Sequence, residues 1–304
     1  MTQNNKKIII TGASGFVGKN LVEYLKHYSY NILPISMRST HWGKELDLSA
    51  DAIIHLAGKA HDTKNRSDTS EYLKVNTGLT KELFDLFLKS KVNDFFYFSS
   101  VKAVADRVEG VLTEDVEGKP ITVYGQSKLQ AEQYILSQPL TEGKRVFIIR
   151  PCMIHGPGNK GNLNLLYNVV KRGIPWPLAS YDNERSFLSS DNLNYLLEQM
   201  LKNRTIKSGV YNFADDGTLS TNQLIQIIGK TVGVKTPLLK LPKSFINGVA
   251  RVGSVLHLPL NKERLQKLTE SYVVSNTKIK DALRLEKLPV AIDKGLVKTI
   301  QSFL

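Results

Sequence analysis

The chain predicts an α/β fold, a doubly wound parallel sheet with a smaller lobe drawn from its C-terminal half. Three observations carry the expectation. Short, uniformly apolar runs alternate with segments of helical periodicity up to Pro151. Glycines crowd the first strand-to-helix junction. After Pro151 the texture changes to Gly/Pro-rich loops and shorter helices.

Taken in order, "KKIIITG" (6–12) is a β-branched run closed by a glycine, as a buried strand would be. "FVGKNLVEYLKHY" (16–28) sets Phe16, Val17, Leu21, Tyr24 and Leu25 at helical spacing. "NILPIS" (31–36) reads as a second strand, and "DAIIHLAG" (51–58) as a third, apolar on both faces like other parallel strands. A helix follows at 68–91, a strand in "DFFYFSS" (94–100), a helix in "ITVYGQSKLQAEQYILSQ" (121–138) and a strand in "RVFIIRP" (145–151). Beyond these, "HGPGNKGN" (155–162) and "RGIPWPLAS" (172–180) read as loops. "SSDNLNYLLEQMLKN" (189–203) is a capped helix, "GVYNFA" (209–214) a strand, and "STNQLIQIIGKTV" (220–232) another capped helix. The expected layout is a dinucleotide-type domain over 1–160 to which 184–215 return, and a second lobe from 161–183 and 216–304.

Composition bounds the function. With 41 Lys and Arg against 28 Asp and Glu the chain carries +13, a balance that suits an anionic partner: a nucleotide, a phosphorylated metabolite, nucleic acid or a membrane surface. Cys152 is the one cysteine, so no internal disulfide forms and a reducing, cytoplasmic setting is expected. The N-terminus does not read as a signal peptide, no run is long enough to span a bilayer, and no metal site is expected.

"TGASGFVG" (11–18) places Gly12, Gly15 and Gly18 between strand and helix. Gly12 permits the tight turn, Gly15 the approach of a pyrophosphate to the backbone, and Gly18 the packing of helix on strand. The helix N-terminus offers amides and the positive end of its dipole. This is the Rossmann arrangement with the spacing G-x-x-G-x-x-G. In that spacing, and in Thr11, Phe16 and Val17, the stretch resembles the extended short-chain dehydrogenase/reductase family of nucleotide-sugar epimerases, dehydratases and ketoreductases.

The resemblance implies a cofactor site at Gly12, Ser14, Gly15, Phe16 and Val17, at Asp47 and Leu48 in "ELDLS" beside the adenine, at the strand end Leu56, Ala57 and Gly58, and at Asn76 in "VNTG". His55 in "HLAG" is expected to be structural. NAD-preferring Rossmann proteins carry an acidic residue at the end of the second strand. Here Ser36 stands in that place and Arg38 follows, a guanidinium suited to a 2′-phosphate, so NADP(H) is favoured over NAD(H).

Tyr124 and Lys128 in "YGQSK" are one helical turn apart and share a face. A phenol of pKa near 10 needs help to exchange protons at neutral pH, and a neighbouring ammonium is expected to lower that pKa. Ser99 and Ser100 end the preceding strand at the sheet edge where such folds keep their chemistry. By resemblance to the Y-x-x-x-K family pattern, Tyr124 is the acid–base group, Lys128 its assistant, and Ser100, with Ser99 as second choice, the hydrogen-bond partner of the substrate oxygen. The family's dehydratases carry an Asp-Glu pair where this chain has Val101 and Lys102, so elimination is not expected.

The stretch 150–193 resembles the substrate segments of nucleotide-sugar enzymes, in particular those acting at C4 of UDP-linked N-acetyl-6-deoxyhexoses for surface polysaccharides. That likeness implies Asn162 at the sugar-nucleotide, Trp176, Pro177 and Leu178 at the base, and Arg185 at the diphosphate. The leading expectation is hydride transfer at C4 of a UDP-4-keto-6-deoxy-N-acetylhexosamine. A UDP-hexose or UDP-N-acetylhexosamine 4-epimerase with bound NAD is the alternative. A non-enzymatic dinucleotide- or RNA-binding protein is the reading from another class, although no aromatic residues interleave a basic stripe as single-strand binders require. Helices 69–91 and 122–138 are expected to pair in a homodimer.

Overall fold

The computed structural model describes residues 5–59, 69–159, 161–256 and 261–304, with the side chains of Asn162 and Val255 outside the description. The larger body runs β1 (Lys6–Thr11), α1 (Phe16–Leu25), β2 (Tyr30–Ile35), β3 (Ala52–His55), α2 (Thr69–Tyr72), α3 (Leu79–Lys89), β4 (Asp94–Phe98), β5 (Val111–Leu112), α4 (Val123–Ser137), β6 (Arg145–Pro151) and β7 (Met153–His155). Then come α5 (Asn162–Lys171), β8 (Phe187–Ser189), α6 (Ser190–Lys202), β9 (Gly209–Phe213), α7 (Thr221–Val232), α8 (Lys243–Val255), α9 (Lys262–Thr269), β10 (Val273–Val274), α10 (Thr277–Leu283) and α11 (Ile292–Gln301).

Six strands form one parallel sheet in the order β2-β1-β3-β4-β6-β9. From β1 the chain steps outward to β2 and then crosses back to β3, so the order reverses between β1 and β3. A crevice opens there at the carboxyl ends of the strands. The doubly wound fold predicted from the sequence is the fold observed.

The apolar runs explain the layers. Ile8, Ile10, Ile54, Phe96 and Ile149 point to one face, where Leu21 and Leu25 of α1 and Leu193 and Leu197 of α6 cover them. Ile9, Ile53, Phe95, Tyr97 and Ile148 point to the other, against Leu83, Phe84 and Phe87 of α3 and Ala131 and Ile135 of α4. Side chains alternate along a strand, and both faces are covered, so every position in the run is apolar.

A second core holds the smaller lobe: Leu163, Leu166 and Val170 of α5, Leu224, Ile225 and Ile228 of α7, and Ile246 and Ala250 of α8, closed by Leu296 and Ile300 of α11. Between α8 and α11 the chain returns to the larger core through Tyr272, Val274, Ile279 and Leu288. A π-helical stretch, Leu73–Gly78, joins α2 to α3 and carries Asn76. Among the described residues, no helix is long and apolar enough to cross a membrane.

Candidate active site

The glycine loop is shaped by contact as well as by torsion. Gly12 has φ +69°, and a Cβ there would stand 2.6 Å from the amide nitrogen of Ala57. A Cβ on Gly18 would come 2.3 Å from the Gly12 carbonyl oxygen. Gly15 donates its amide to Gly12 O at 3.0 Å and opens α1 without a side-chain cap. A Cβ there would come within 3.2 Å of the Gly12 carbonyl oxygen, so a glycine keeps the loop close and bare beside the uncapped amides that a pyrophosphate requires. Ser14 stands exposed at the tip, with Phe16 and Val17 half-buried behind it. Asn20 donates to both Phe16 O (2.9 Å) and Pro157 O (3.1 Å), stitching α1 to the "HGPG" loop.

Hydrogen bonds fix the strand ends beside this loop. Thr11 Oγ1 accepts from the Ala57 amide at 3.2 Å and meets His55 Nδ1 at 2.7 Å. His55 Nε2 meets Thr80 Oγ1 at 2.9 Å, and Thr80 donates its hydroxyl proton to Asn76 O at 2.7 Å. Thr80 therefore accepts from Nε2–H, and Nδ1 accepts from Thr11. Burial first, and the charge of Lys128 second, hold His55 down to about 3, so it is a neutral strut. Asn76 accepts from the Lys59 amide (2.7 Å) and donates to Lys59 O (3.1 Å) and to Ser127 Oγ (3.0 Å). It thus locks the turn after β3 to α4 one residue before Lys128.

The structure brings Ser100, Tyr124 and Lys128 together at the end of β4. The side chain of Ser100 is hydrogen-bonded to the Tyr124 phenol. Ser100 also caps the short turn Val101–Ala103, its Oγ accepting from the Lys102 amide at 3.2 Å. Ser99 is buried with no partner for its hydroxyl, so Ser100 is the serine that faces the tyrosine. Lys128 donates from Nζ to Phe98 O at 2.8 Å and lies 5.0 Å from the centre of the Tyr97 ring. Gly58 leaves room for it: a Cβ at 58 would sit 3.2 Å from Nζ.

Electrostatics correct one expectation. The ammonium of Lys128 was expected to lower the Tyr124 pKa. Instead, burial pushes the phenol up, and the Ser100 hydrogen bond opposes this more weakly. Burial likewise brings Lys128 down to about 8, partly countered by Glu132. At neutral pH the pair is a protonated phenol beside a protonated amine.

Two residues that sequence reasoning missed hold this arrangement. Asp106 accepts from the amides of Ile121 (2.7 Å) and Thr122 (3.1 Å) and from Thr122 Oγ1 (3.1 Å), fixing the start of α4 just before Tyr124. Tyr72 meets Tyr124 edge-on with ring centres 6.2 Å apart. Both act across loops, and neither sits in a local pattern.

The remaining candidates divide. Ser36 and Arg38 stand exposed after the end of β2. Leu56, Ala57 and Gly58 follow the end of β3, with Leu56 and Ala57 packed closely on Gly12 and Gly58 beside Asn76 and Lys128. Asp47 and Leu48 are not brought there. Asp47 takes the Lys7 ammonium at 2.8 Å and the Ser49 amide at 3.0 Å, and Leu48 O accepts from the Lys91 amide at 3.0 Å. Both lie at the starts of β1 and β4, the opposite edge of the sheet, and Lys7 with Ser49 holds the Asp47 carboxyl down to about 2. An adenine contact there would have to cross the length of a strand.

Arg185 sits between the lobes, its backbone bridged to Leu219 and Tyr272 and its guanidinium donating to Lys267 O. Asp191 pairs with Lys298 at 2.7 Å rather than with Arg185. Trp176 and Leu178 are buried in the lobe core, the indole donating to Asn222 Oδ1 at 3.1 Å, and Pro177 stays half-exposed. Asn162 opens α5, and its side chain lies outside the described residues.

The chain matches the NAD dependent epimerase/dehydratase family over residues 8–214. It is 29% identical to UDP-glucose 4-epimerase of Vibrio cholerae over 98% of this chain and 96% of that one. It is 27% identical to N-acetyl-alpha-D-glucosaminyl-diphospho-ditrans,octacis-undecaprenol 4-epimerase of Escherichia coli O157:H7 (98% and 95%). It is 28% identical to GDP-6-deoxy-D-mannose reductase of Pseudomonas aeruginosa (80% and 84%). In fold it resembles RMD from Pseudomonas aeruginosa complexed with NADPH (TM-score 0.76, 23% identity, 98% and 99% coverage). It also resembles UDP-glucuronic acid 4-epimerase from Bacillus cereus in complex with NAD (0.75, 18%, 97% and 98%). Fold and site together define an enzyme of the extended short-chain dehydrogenase/reductase type, which sets aside the non-enzymatic reading. The chain belongs to the NAD dependent epimerase/dehydratase family, whose members use a nicotinamide dinucleotide.

Proposed function

We propose that this enzyme reduces the 4-keto group of a UDP-4-keto-6-deoxy-N-acetylhexosamine with NADPH, for surface polysaccharide synthesis. The observation that carries the reading is the Ser100–Tyr124 hydrogen bond at the end of β4, with the Lys128 ammonium held behind it. The dinucleotide, when bound, supplies the hydride. Gly12, Gly15 and the first amides of α1 fit its pyrophosphate, and Arg38, with no carboxylate at Ser36, fits a 2′-phosphate.

The chain's own residues do the rest. Ser100 holds the sugar oxygen by hydrogen bond. Tyr124, kept protonated by burial, donates its proton to that oxygen as the carbonyl is reduced. Lys128 supports the phenolate that remains. Arg185 meets the diphosphate from the second lobe. A cytoplasmic homodimer built on α2–α3 and α4 belongs to the same proposal.

A second reading is 4-epimerisation with NAD retained through the cycle, supported by the two relatives named as 4-epimerases. NADPH oxidation with UDP-4-keto-6-deoxy-GlcNAc tests the first. The parent should turn over, and Tyr124→Phe should lose roughly 100-fold or more in kcat with dinucleotide binding intact. A variant as fast as the parent would end the proton-transfer role. Epimerised product without net NADPH consumption would move the assignment to the second reading.

A further inference from the structure

Tyr272 reaches the catalytic strand end from outside it. The residue lies between α9 and β10, where the chain returns from the second lobe, and its side chain is buried. Its hydroxyl proton points at Ala105 O at 2.7 Å, with Val101 O at 3.2 Å sharing it. Those two carbonyls belong to the short turn that directly follows Ser100. The Lys102 ammonium lies 4.4 Å from the centre of the Tyr272 ring and donates to Asp106 O at 2.8 Å. The ring is thus covered by a cation that closes the same turn. The backbone that carries the phenol is fixed on both sides. The Tyr272 amide donates to Glu184 O at 2.8 Å, and Tyr272 O accepts from the Ser186 amide at 3.0 Å. Val273 and Val274, which follow, pair with Val111 and Leu112. A hydroxyl on such a support is a strut, because a hydrogen bond is directional and its donor cannot drift.

The turn touches both members of the catalytic pair. The Lys102 amide donates to Ser100 Oγ at 3.2 Å, which orients the side chain that bonds the Tyr124 phenol. The Lys102 carbonyl packs on Gly125, the residue after Tyr124: a Cβ at 125 would stand 2.3 Å from that oxygen. Beyond the turn, Asp106 accepts from the amides of Ile121 and Thr122 at the start of α4. A shift of the turn therefore moves Ser100 relative to Tyr124.

We infer that Tyr272 is a positioning residue for the reaction: its phenol pins the turn 101–105 and thereby holds Ser100 against Tyr124. It acts through Ser100 and not on the substrate. The inference rests on the proposed Ser100–Tyr124 chemistry and is the same for reduction and for epimerisation, since both use that pair.

The test compares the parent with Tyr272→Phe, Ser100→Ala and Ser100→Ala/Tyr272→Phe, at a temperature where circular dichroism shows each folded. Turnover is followed with NADPH and UDP-4-keto-6-deoxy-GlcNAc, and as epimerisation of UDP-GlcNAc with NAD. Tyr272→Phe keeps the ring beside Lys102 and removes only the hydroxyl. It should lose between roughly tenfold and 100-fold in kcat, with KM and dinucleotide affinity within about twofold of the parent. In the double variant that loss should vanish, leaving kcat within about twofold of Ser100→Ala, because the strut has no hydroxyl left to place. A Tyr272→Phe enzyme with the parent's kcat overturns the inference. So does a double variant in which the two losses multiply, since that describes a lobe contact with no tie to Ser100. Amide hydrogen exchange reads the turn without any substrate. The Lys102 amide should exchange roughly tenfold faster in Tyr272→Phe, while β1 keeps the parent's protection. If the parent turns over neither substrate, the substrate assignment fails and the exchange decides alone: unchanged protection at Lys102 overturns the inference. If Tyr272→Phe does not fold, Lys102→Met takes its place in the comparison, because it loosens the same turn with the Tyr272 hydroxyl present. A Lys102→Met enzyme with the parent's kcat, or a loss that multiplies with that of Ser100→Ala, then overturns the inference.

Discussion

Lys128 donates its ammonium to the carbonyl oxygen of Phe98 at 2.8 Å, from a side chain that is almost wholly buried. The bond ties the middle of α4 to the end of β4, two elements that the chain separates by thirty positions. It holds a charge where water does not reach. Tyr124, one turn earlier on the same helix, is placed by the same constraint.

This geometry gives a pH dependence whose sign can be worked out. The folded-state pKa of Lys128 is about 8, below the ordinary 10.5. Below pH 8 both folded and unfolded chains carry the proton, and the folded one bears the cost of burying it. Between about 8 and 10.5 the unfolded chain binds more protons, so the contribution of this group to stability rises with pH and is complete above 10.5. Relative to Lys128→Met, which does not titrate, the parent should gain about 2 to 3 kcal/mol between pH 7 and pH 10 in denaturant unfolding. Activity should move the other way, because the free enzyme loses the ammonium as pH passes 8 and kcat/KM falls. A stability difference that stays flat with pH would show that the amine is solvated.

The dinucleotide preference is a second test. Arg38 and Ser36 stand exposed just after β2, with no carboxylate at position 36. A carboxylate there would repel a 2′-phosphate and bond a 2′-hydroxyl. Ser36→Asp should weaken NADPH and tighten NADH, and Arg38→Ala should cost NADPH roughly tenfold or more with little change for NADH. Isothermal titration of each variant with both nucleotides reads the ratio. Equal losses for the two would remove Arg38 from the phosphate.

What was legible in the sequence was what local pattern encodes. Ile8, Ile9 and Ile10 are apolar in succession because both faces of β1 are covered, and the run says so by itself. Gly12 is demanded by its left-handed φ in the turn, and Gly18 by contacts with Gly12 and Ala13 a few residues back. Tyr124 and Lys128 are one turn apart, so their shared face was readable. The failures are long-range. Asp47 resembles the family's Asp-hydrophobic pair at the adenine, but its carboxylate is captured by Lys7, forty positions earlier and at the start of β1. Asp106 caps α4 from across a loop of fifteen residues. The direction of the Tyr124 pKa shift was misread because burial is set by Tyr72 and other neighbours that no spacing announces.

The buried pair Glu132–Arg150 ties these themes together. Glu132 lies one turn beyond Lys128 on α4, and Arg150 lies on β6. Nη2 donates to Oε2 at 2.6 Å, and Nε reaches Oε1 at 3.1 Å, with both side chains almost wholly buried. Breaking such a pair leaves one charge without compensation, whereas replacing both partners with apolar groups of similar volume is close to neutral. Glu132→Gln should therefore cost about 3 to 5 kcal/mol in denaturant unfolding, and Glu132→Leu/Arg150→Met much less. A purely structural role predicts nothing further. Yet the carboxylate of Glu132 raises the Lys128 pKa against the effect of burial, so its removal should let that pKa fall below 8. In Glu132→Gln, assayed at a temperature where it stays folded, the alkaline fall in kcat/KM should begin at lower pH than in the parent. An unshifted profile in a folded Glu132→Gln enzyme would confine the pair to holding α4 against the sheet.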